Sequence, residues 1–159
     1  MKHGFFTFIF LALFTIFSSG CVGIGPQATV LKNVKIEKSQ KNYSSVHAVF
    51  TFKEDETLVA GENGKPIDMQ IVDTLNNLFS SSQIRGEDLE ISVKTISYSN
   101  MVLIGDSKFT TKVEVFNASK QKIGEFEVET LLYKEIGLRG GIHMATSRIY
   151  DTIKEKFIK

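Results

Sequence analysis

The stretch Lys108–Lys134, KFTTKVEVFNASKQKIGEFEVETLLYK, decides the predicted fold. Apolar and polar residues alternate in both of its halves, on either side of a polar turn at Ala118–Lys122. This alternation indicates two half-buried strands, and the short turn predicts that they form an antiparallel hairpin. The first arm has one face made of Phe109, Thr111, Val113 and Val115. The return arm places Gly124, Phe126, Val128 and Thr130 on one face and Ile123, Glu125, Glu127 and Glu129 on the other. We expect the glutamate row to face solvent.

Segments upstream and downstream of the hairpin supply the rest of the fold. Strand-like alternation also occurs in Val30–Glu37, Val46–Phe52 and Asp88–Ser99. A first helix is predicted from Pro66, because proline suits the first helical turn, to Ser80-Ser81-Ser82. Its apolar face comprises Ile67, Ile71, Leu75, Leu78 and Phe79. A second helix is predicted at Ile142–Ile158, with Ala145, Ile149, Ile153 and Phe157 recurring every fourth residue.

The predicted order of elements is therefore β-β-α-β-β-β-α. It indicates an α+β fold of two layers, in which two helices pack on one face of a mostly antiparallel sheet of about five strands. Residues 30–159 form this single domain in our interpretation. The other face of the sheet is polar enough to contact water or a partner.

The N-terminus has the features of a secretory signal, namely a positive start, a short apolar core and small residues after it. Lys2 supplies the charge, and the thirteen residues Phe5–Phe17 are apolar apart from two threonines. As a helix this core spans roughly 20 Å at ~1.5 Å per residue, short of the ~30 Å of bilayer hydrocarbon. We therefore expect residues 1–20 to be a signal peptide and residues 21–29 a short tether.

The end of this segment resembles the bacterial lipoprotein signal, in which an aliphatic residue and two small residues precede a cysteine. Ser19-Gly20-Cys21 matches, and Ser18 stands where leucine is usual. The resemblance implies that Cys21 receives a diacylglyceryl thioether, becomes the first residue after cleavage and is then N-acylated. Three acyl chains would hold the protein on a membrane essentially permanently. Val22 stands where an aspartate would imply retention at the inner membrane, which favours the outer membrane, facing the periplasm.

Two other interpretations of the N-terminus stay open. The uncharged stretch Gly4–Leu31 would suit a retained transmembrane anchor, and a plain signal could precede a bystander cysteine. Cys21 is the only cysteine of the 159 residues, so no intramolecular disulfide can form. Lys2 is the only charged residue of the signal, and its removal leaves 18 basic and 18 acidic residues. That balance argues against a nucleic-acid-binding protein, which would be markedly basic.

The sequence contains no residue pattern that predicts a catalytic, cofactor or metal site. His47 and His143 have no metal-ligand spacing, and the acidic run Glu54-Asp55-Glu56 lacks the glycine turn of a calcium loop. Glu125, Glu127 and Glu129 would stand ~7 Å apart on a strand, which we interpret as a solvated edge rather than a glycosidase pair. The glycine-rich loop Gly137–Gly141 precedes a helix and could bind an anion, although a flexible hinge is the preferred interpretation. The chain is therefore expected not to be an enzyme and to need no cofactor.

Beyond the signal, the chain resembles a loose group of small Gram-negative envelope lipoproteins of unknown function. The residues that carry the resemblance are the helix Ile67–Phe79, the strand Leu89–Tyr98, the turn Asn117–Gly124 and the pair Gly140-Gly141. The group includes YajG-like lipoproteins and auxiliary lipoproteins of envelope transport systems. It implies a membrane-anchored, non-catalytic binding or structural accessory with an envelope protein as partner. The alternatives are a lipid or glycolipid carrier that uses the groove between sheet and helices, and an enzyme with an unrecognised site.

Overall fold

The computed structural model describes residues 28–30, 34–36, 46–51, 64–81, 87–100, 107–132 and 137–158. The strands in these ranges are β1 Ala28–Val30, β2 Lys35–Ile36, β3 Val46–Thr51, β4 Glu87–Asn100, β5 Ser107–Phe116 and β6 Lys122–Leu132. The helices are α1 Ile67–Ser81 and α2 Gly137–Phe157. Neither helix is long and apolar enough to cross a bilayer, a finding that applies to the described ranges only.

The three strands β4, β5 and β6 form an antiparallel sheet, which together with the two helices confirms the α+β class. The predicted hairpin is the β5–β6 pair. Its turn is closed between Asn117 and Gln121: the Asn117 N–H donates to the Gln121 carbonyl at 3.0 Å, and the Gln121 N–H donates to the Asn117 side-chain oxygen at 2.9 Å. Lys120 has a φ of 62°, so a non-glycine residue occupies the left-handed region inside this turn.

Shorter strands flank this antiparallel core. β3 pairs with β4 in parallel, while β1 and β2 both pair antiparallel with β6. Within the strand predicted at Val30–Glu37, Val30 belongs to β1 and Lys35–Ile36 form β2, while Val34 lies in neither strand, so the prediction of one continuous strand is wrong. Residues 31–33 and 37 lie outside the described residues. Ala28 pairs with Thr130, so the sheet begins two residues inside the segment expected to be a tether.

The buried face of the sheet follows the predicted alternation. Residues at most 1% exposed on this face are Leu89, Ile91, Val93, Thr95, Phe109, Thr111, Val113, Val115, Phe126, Val128 and Thr130. One prediction is wrong, because Ile123 is buried rather than exposed with the glutamates. The register shifts there, with Val115 opposite Gly124 and Phe116 opposite Lys122, so Ile123 is the extra residue of a β-bulge.

The first predicted helix is confirmed as α1, which begins at Ile67, one residue after the predicted start at Pro66. Its fully buried side chains are Ile67, Ile71 and Leu75, and Phe79 is 5% exposed. Phe79 contacts Tyr150 of α2, with ring centroids 4.8 Å apart, so the two helices pack against each other. The ammonium of Lys154 lies 5.3 Å from the centroid of the same Tyr150 ring, at the distance of a cation–π contact.

Helix α2 buries the predicted residues and starts earlier than predicted. Ala145, Ile149 and Ile153 are fully buried and Phe157 is 5% exposed, which confirms the helical stripe. The helix begins at Gly137, so Gly137–Gly141 is its first turn and neither a hinge nor a loop. At Gly141 a Cβ would overlap Leu132 Cδ2 and lie 3.4 Å from Phe109 Cε1. The helix therefore approaches β5 and β6 closely at this glycine, and a larger residue there would require the Leu132 side chain to move.

Candidate functional site

The outer face of the sheet carries a compact group of four charged side chains, which we call the four-charge cluster: Lys112, Glu114, Lys122 and Glu125. The Lys122 ammonium lies 2.6 Å from a Glu125 oxygen and 3.1 Å from a Glu114 oxygen. The Lys112 ammonium lies 3.4 Å from an oxygen of each glutamate. Each lysine thus contacts both glutamates, and the cluster is electrically neutral.

Ionisation of the cluster is coupled through these contacts. The hydrogen bond from Lys122 holds the pKa of the Glu125 carboxyl below its ordinary value, and the charge of Lys112 acts in the same direction. Hydrogen bonds to Glu125 and Glu114 raise the pKa of Lys122. Because these shifts arise from ion pairs at the surface, both residues are charged at neutral pH and neither is set up as an acid or base for catalysis.

Two further ion pairs extend the charged face along the sheet. Lys108 contacts Glu129 at 3.1 Å, and Lys120 contacts Glu90 across the end of the hairpin. The alternate glutamates of β6 therefore face outward, as predicted. They do not form an edge, because β6 lies between β5 and the short strands β1 and β2; the interpretation of these residues as a solvated edge is wrong.

A cavity of about 350 Å³ adjoins the four-charge cluster. It is lined by Asp68, Ser92, Val93, Lys94, Ile96, Lys112 and Glu114. Two of these residues, Lys112 and Glu114, also belong to the cluster. The cavity lies beside the part of β4 that follows Ser92, the last residue of β4 that is paired with described residues of β3. Its size is at the lower limit of pockets that hold small molecules.

Asp68, at the start of α1, is a buried carboxylate in the wall of this cavity. Its side chain is 1% exposed and accepts hydrogen bonds from the N–H of Met69 at 3.1 Å and of Thr95 at 3.5 Å. The second bond connects α1 to β4 and satisfies a backbone donor of that strand, which would be costly to bury unpaired. Asp68 therefore has a structural role at the junction of helix and sheet.

The chemistry available at the charged face is recognition through ion pairs and hydrogen bonds. Among the described residues, no group of three or more His, Cys, Asp or Glu side chains could hold a metal ion. His47 lies on β3, and His143 is exposed on α2. The structure thus does not bring together the two histidines singled out from the sequence.

The remaining residues singled out from the sequence have different outcomes. Cys21 and the run Glu54-Asp55-Glu56 lie outside the described residues. Gly140 and Gly141 are part of α2, so they do not form the anion-binding loop that the sequence suggested. The cavity itself was missed from sequence. Nothing local in the sequence marks the hydrogen bond between Asp68 and Thr95, which are 27 residues apart.

Comparisons with known proteins add little to this description. No protein-family model and no curated protein sequence matches the chain. Two similar solved structures are the PelC L103M dodecamer and the PelC dodecamer from Paraburkholderia phytofirmans, both at 13% identity. In both comparisons the aligned region covers 84% of this chain and 99% of the PelC chain. The TM-score is 0.48 for the L103M dodecamer and 0.45 for the other PelC dodecamer. Likeness at this level carries no conclusion about fold or function.

Proposed function

We propose that the protein is a lipid-anchored envelope lipoprotein that acts as a non-catalytic binding or structural accessory. The observation that carries the proposal is the sequence Ser19-Gly20-Cys21 at the end of a short apolar run, with Cys21 the only cysteine. A membrane anchor through acylated Cys21 would place the domain close to the outer membrane, facing the periplasm. We propose that the small Gram-negative envelope lipoproteins, YajG-like and transport-auxiliary, are its nearest group.

We also propose a strand count and an element order for the domain. If β1 and β2 are counted as one interrupted strand along β6, the sheet has about five strands and the order of elements is β-β-α-β-β-β-α. Both helices then cover one face, and the charged face of β4–β6 remains on the other. Such a two-layer domain has a surface to offer a partner without needing a cleft.

We further propose that the charged face is where an envelope protein binds. The lysines and glutamates of the four-charge cluster are already paired with one another, so they hold fixed positions and can donate to and accept from a polar partner at the same time. Charged groups arranged in this way give selectivity and association rate more than affinity. The absence of unpaired charge within the four-charge cluster supports recognition rather than acid–base chemistry.

A role as lipid or glycolipid carrier is the alternative proposal. It needs space between sheet and helices. Helix α2 and strand β6 approach each other closely at Gly141 beside Leu132 and at Gly124 beside Phe157, which leaves no room at those two points. These contacts support the accessory over the carrier. Native mass spectrometry of the purified protein tests this choice. A lipid that co-purifies with the protein would favour the carrier over the accessory.

Anchoring is tested with two variants of the signal. Cys21→Ser should abolish metabolic labelling with a fatty acid and release the protein from the membrane fraction, because the acceptor thiol is gone. Ser18→Leu restores the residue usual at that position of the lipoprotein signal and should keep full labelling. Equal labelling of wild type and Cys21→Ser would exclude the proposed anchor.

The partner surface is tested with a photo-crosslinking amino acid at two positions. Glu127 is half-buried on the charged face, and Arg139 is exposed on α2. A discrete adduct from Glu127 that is lost in the Cys21→Ser background, with none from Arg139, is the expected result. The same adducts from both positions would show that the charged face has no selective role.

A further inference from the structure

The cavity beside the four-charge cluster is lined by two lysines that stand directly opposite each other. Lys94 of β4 pairs with Lys112 of β5 in the register of the sheet, and both side chains line the cavity. Their neighbours Val93 and Val113 are buried, so the two lysines lie on the outer face. Like charges directly opposite each other destabilise a sheet. An anion held between the two ammoniums would replace this repulsion with attraction.

Lys112 is held only loosely by its two glutamate neighbours. Its ammonium lies 3.4 Å from an oxygen of Glu114 and 3.4 Å from an oxygen of Glu125, whereas strong charge-assisted N–H···O bonds are about 2.7–2.9 Å long. Lys122 approaches the same two oxygen atoms more closely, at 3.1 and 2.6 Å. Lys112 can therefore donate to a ligand in the cavity without giving up a short hydrogen bond.

The two acidic side chains in the cavity wall are each engaged by other donors. Asp68 accepts hydrogen bonds from the N–H groups of Met69 and Thr95. Glu114 accepts a hydrogen bond from Lys122, which does not belong to the described lining of the cavity. Because donors outside the cavity offset the charge of both carboxylates, the two acids oppose the entry of an anion less than their number suggests.

A β-bulge in β4 adds an apolar surface to the same cavity. The register with β5 shifts between Thr95 and Ser97, so Ile96 is the extra residue of the strand. Ile96 lines the cavity together with Val93 and Ser92. Bulges are frequent beside functional sites, where they change the direction of a side chain. The wall thus combines two ammoniums and a hydroxyl with a small apolar patch, a composition that suits an organic anion.

We propose that this cavity binds a small organic oxyanion, a carboxylate or a phosphate monoester, with its charged head between Lys94 and Lys112. Ser92 precedes Lys94 by two residues on the same face of β4, so its hydroxyl can donate to the same head group. The apolar part of the ligand contacts Val93 and Ile96. A volume of about 350 Å³ limits the ligand to a small molecule. The proposal rests neither on lipid anchoring nor on an envelope partner.

Binding is tested with n-butyl phosphate and with pentanoate, each added to the purified full chain in maltoside micelles. Both probes should shift the backbone amide signals of residues 92–96 and of Lys112 in two-dimensional NMR spectra. n-Butylammonium, which has a similar size and the opposite charge, should leave these signals in place. Tighter binding of n-butyl phosphate would identify a phosphate ligand, and tighter binding of pentanoate a carboxylate ligand. Signals that stay in place with both anions would overturn the proposal.

Three matched variants test the role of the two lysines. Lys94→Gln and Lys112→Gln should each weaken binding of the tighter probe by at least about tenfold, because each removes one charged donor from the anion. Lys108→Gln is the control, since Lys108 lies on β5, pairs with Glu129 and is not among the described residues that line the cavity. It should leave the affinity unchanged. Circular dichroism checks that each variant is folded. Equal weakening by all three variants would show a general attraction to surface charge and overturn the proposal.

Discussion

The ring of Phe157, the last residue of α2, lies directly against Gly124 of β6. A Cβ on Gly124 would be 2.5 Å from Phe157 Cζ, closer than real Cβ contacts come. Both residues are buried, and Gly124 lies within one residue of the bulge at Ile123. The missing side chain in the strand thus makes room for the ring that ends the helix.

Gly124→Ala should lower the free energy of unfolding by about 1–3 kcal/mol, the usual cost of overfilling a packed core. Phe157→Leu in the same background should recover part of the loss, because the shorter side chain vacates the space. Urea melts of the two single variants and the double variant measure this coupling. Additive losses would show that Gly124 and Phe157 do not compete for the same space.

The buried stripe of α2 should contribute far more to stability than its exposed face. Ile153 and Phe157 are buried, whereas Lys154 and Lys156 are exposed. Replacing a buried side chain by alanine typically lowers the free energy of unfolding by ~2–5 kcal/mol for Ile and ~3–5 kcal/mol for Phe. The free energy of unfolding of a whole domain is only ~5–15 kcal/mol. Ile153→Ala with Phe157→Ala should therefore nearly unfold the protein in denaturant melts. Lys154→Ala with Lys156→Ala should cost under about 0.5 kcal/mol per site, and equal losses would contradict the helix phase.

The periodicity of the sequence was sufficient to predict the buried and exposed faces of the hairpin and of both helices. It could not predict contacts between distant segments or positions where the repeat is interrupted. The hairpin and both helical stripes repeat every two or every three to four residues, and this signal is local. The parallel pairing of β3 and the Asp68–Thr95 hydrogen bond join distant segments, so no local pattern marks them. The helical start at Gly137 was missed because Gly140 and Gly141 carry no apolar side chain to continue the stripe and weaken helix propensity. The bulge at Ile123 shifts the alternation by one residue.

The candidate site was less predictable than the fold. The alternating glutamates of β6 were recognised as outward-facing, but their lysine partners come from β5 and the hairpin end. Pairing depends on the register between β5 and β6, and a shift of one residue would exchange the faces. The cavity beside Asp68 requires α1, β4 and β5 together. Cys21 remains a sequence-based assignment, because it lies outside the described residues.

A buried threonine of β5 provides a test of the core. Thr111 is fully buried, and among the described residues its hydroxyl has no hydrogen-bond partner. Thr111→Val keeps the shape and removes the burial cost of the hydroxyl, so it should stabilise the protein by about 1–3 kcal/mol. Thr146→Val is the matched control, since that hydroxyl donates to the Ile142 carbonyl at 2.8 Å and its loss brings no gain. A destabilised Thr111→Val variant would mean that its hydroxyl is satisfied in solution.

The four-charge cluster should make stability depend on pH in the acid range. The pKa of Glu125 is lowered in the folded state by Lys122, so its stabilising contribution is complete above the ordinary glutamate pKa of about 4.3. That contribution is lost as the pH falls through the folded-state pKa. Glu125→Gln should therefore be less stable than wild type at pH 7 and show a smaller loss of stability on acidification.

Glu127→Gln is the control for this experiment, because within the described part of the chain Glu127 makes no ion pair. It should follow the wild-type pH profile closely. The difference between wild type and Glu125→Gln should shrink at high salt, since surface ion pairs are screened. An acid profile of Glu125→Gln that matches wild type would show that the Lys122 contact adds nothing to stability.

The intact mass of the protein purified from membranes of a Gram-negative host tests the central claim most directly. If the protein is a lipoprotein, the chain should begin at Cys21, lack residues 1–20 and carry the added mass of a diacylglyceryl group and one further acyl chain. Peptide fragmentation should assign both modifications to Cys21. A chain that retains residues 1–20, or one cleaved elsewhere with a free Cys21 thiol, would contradict the lipoprotein assignment.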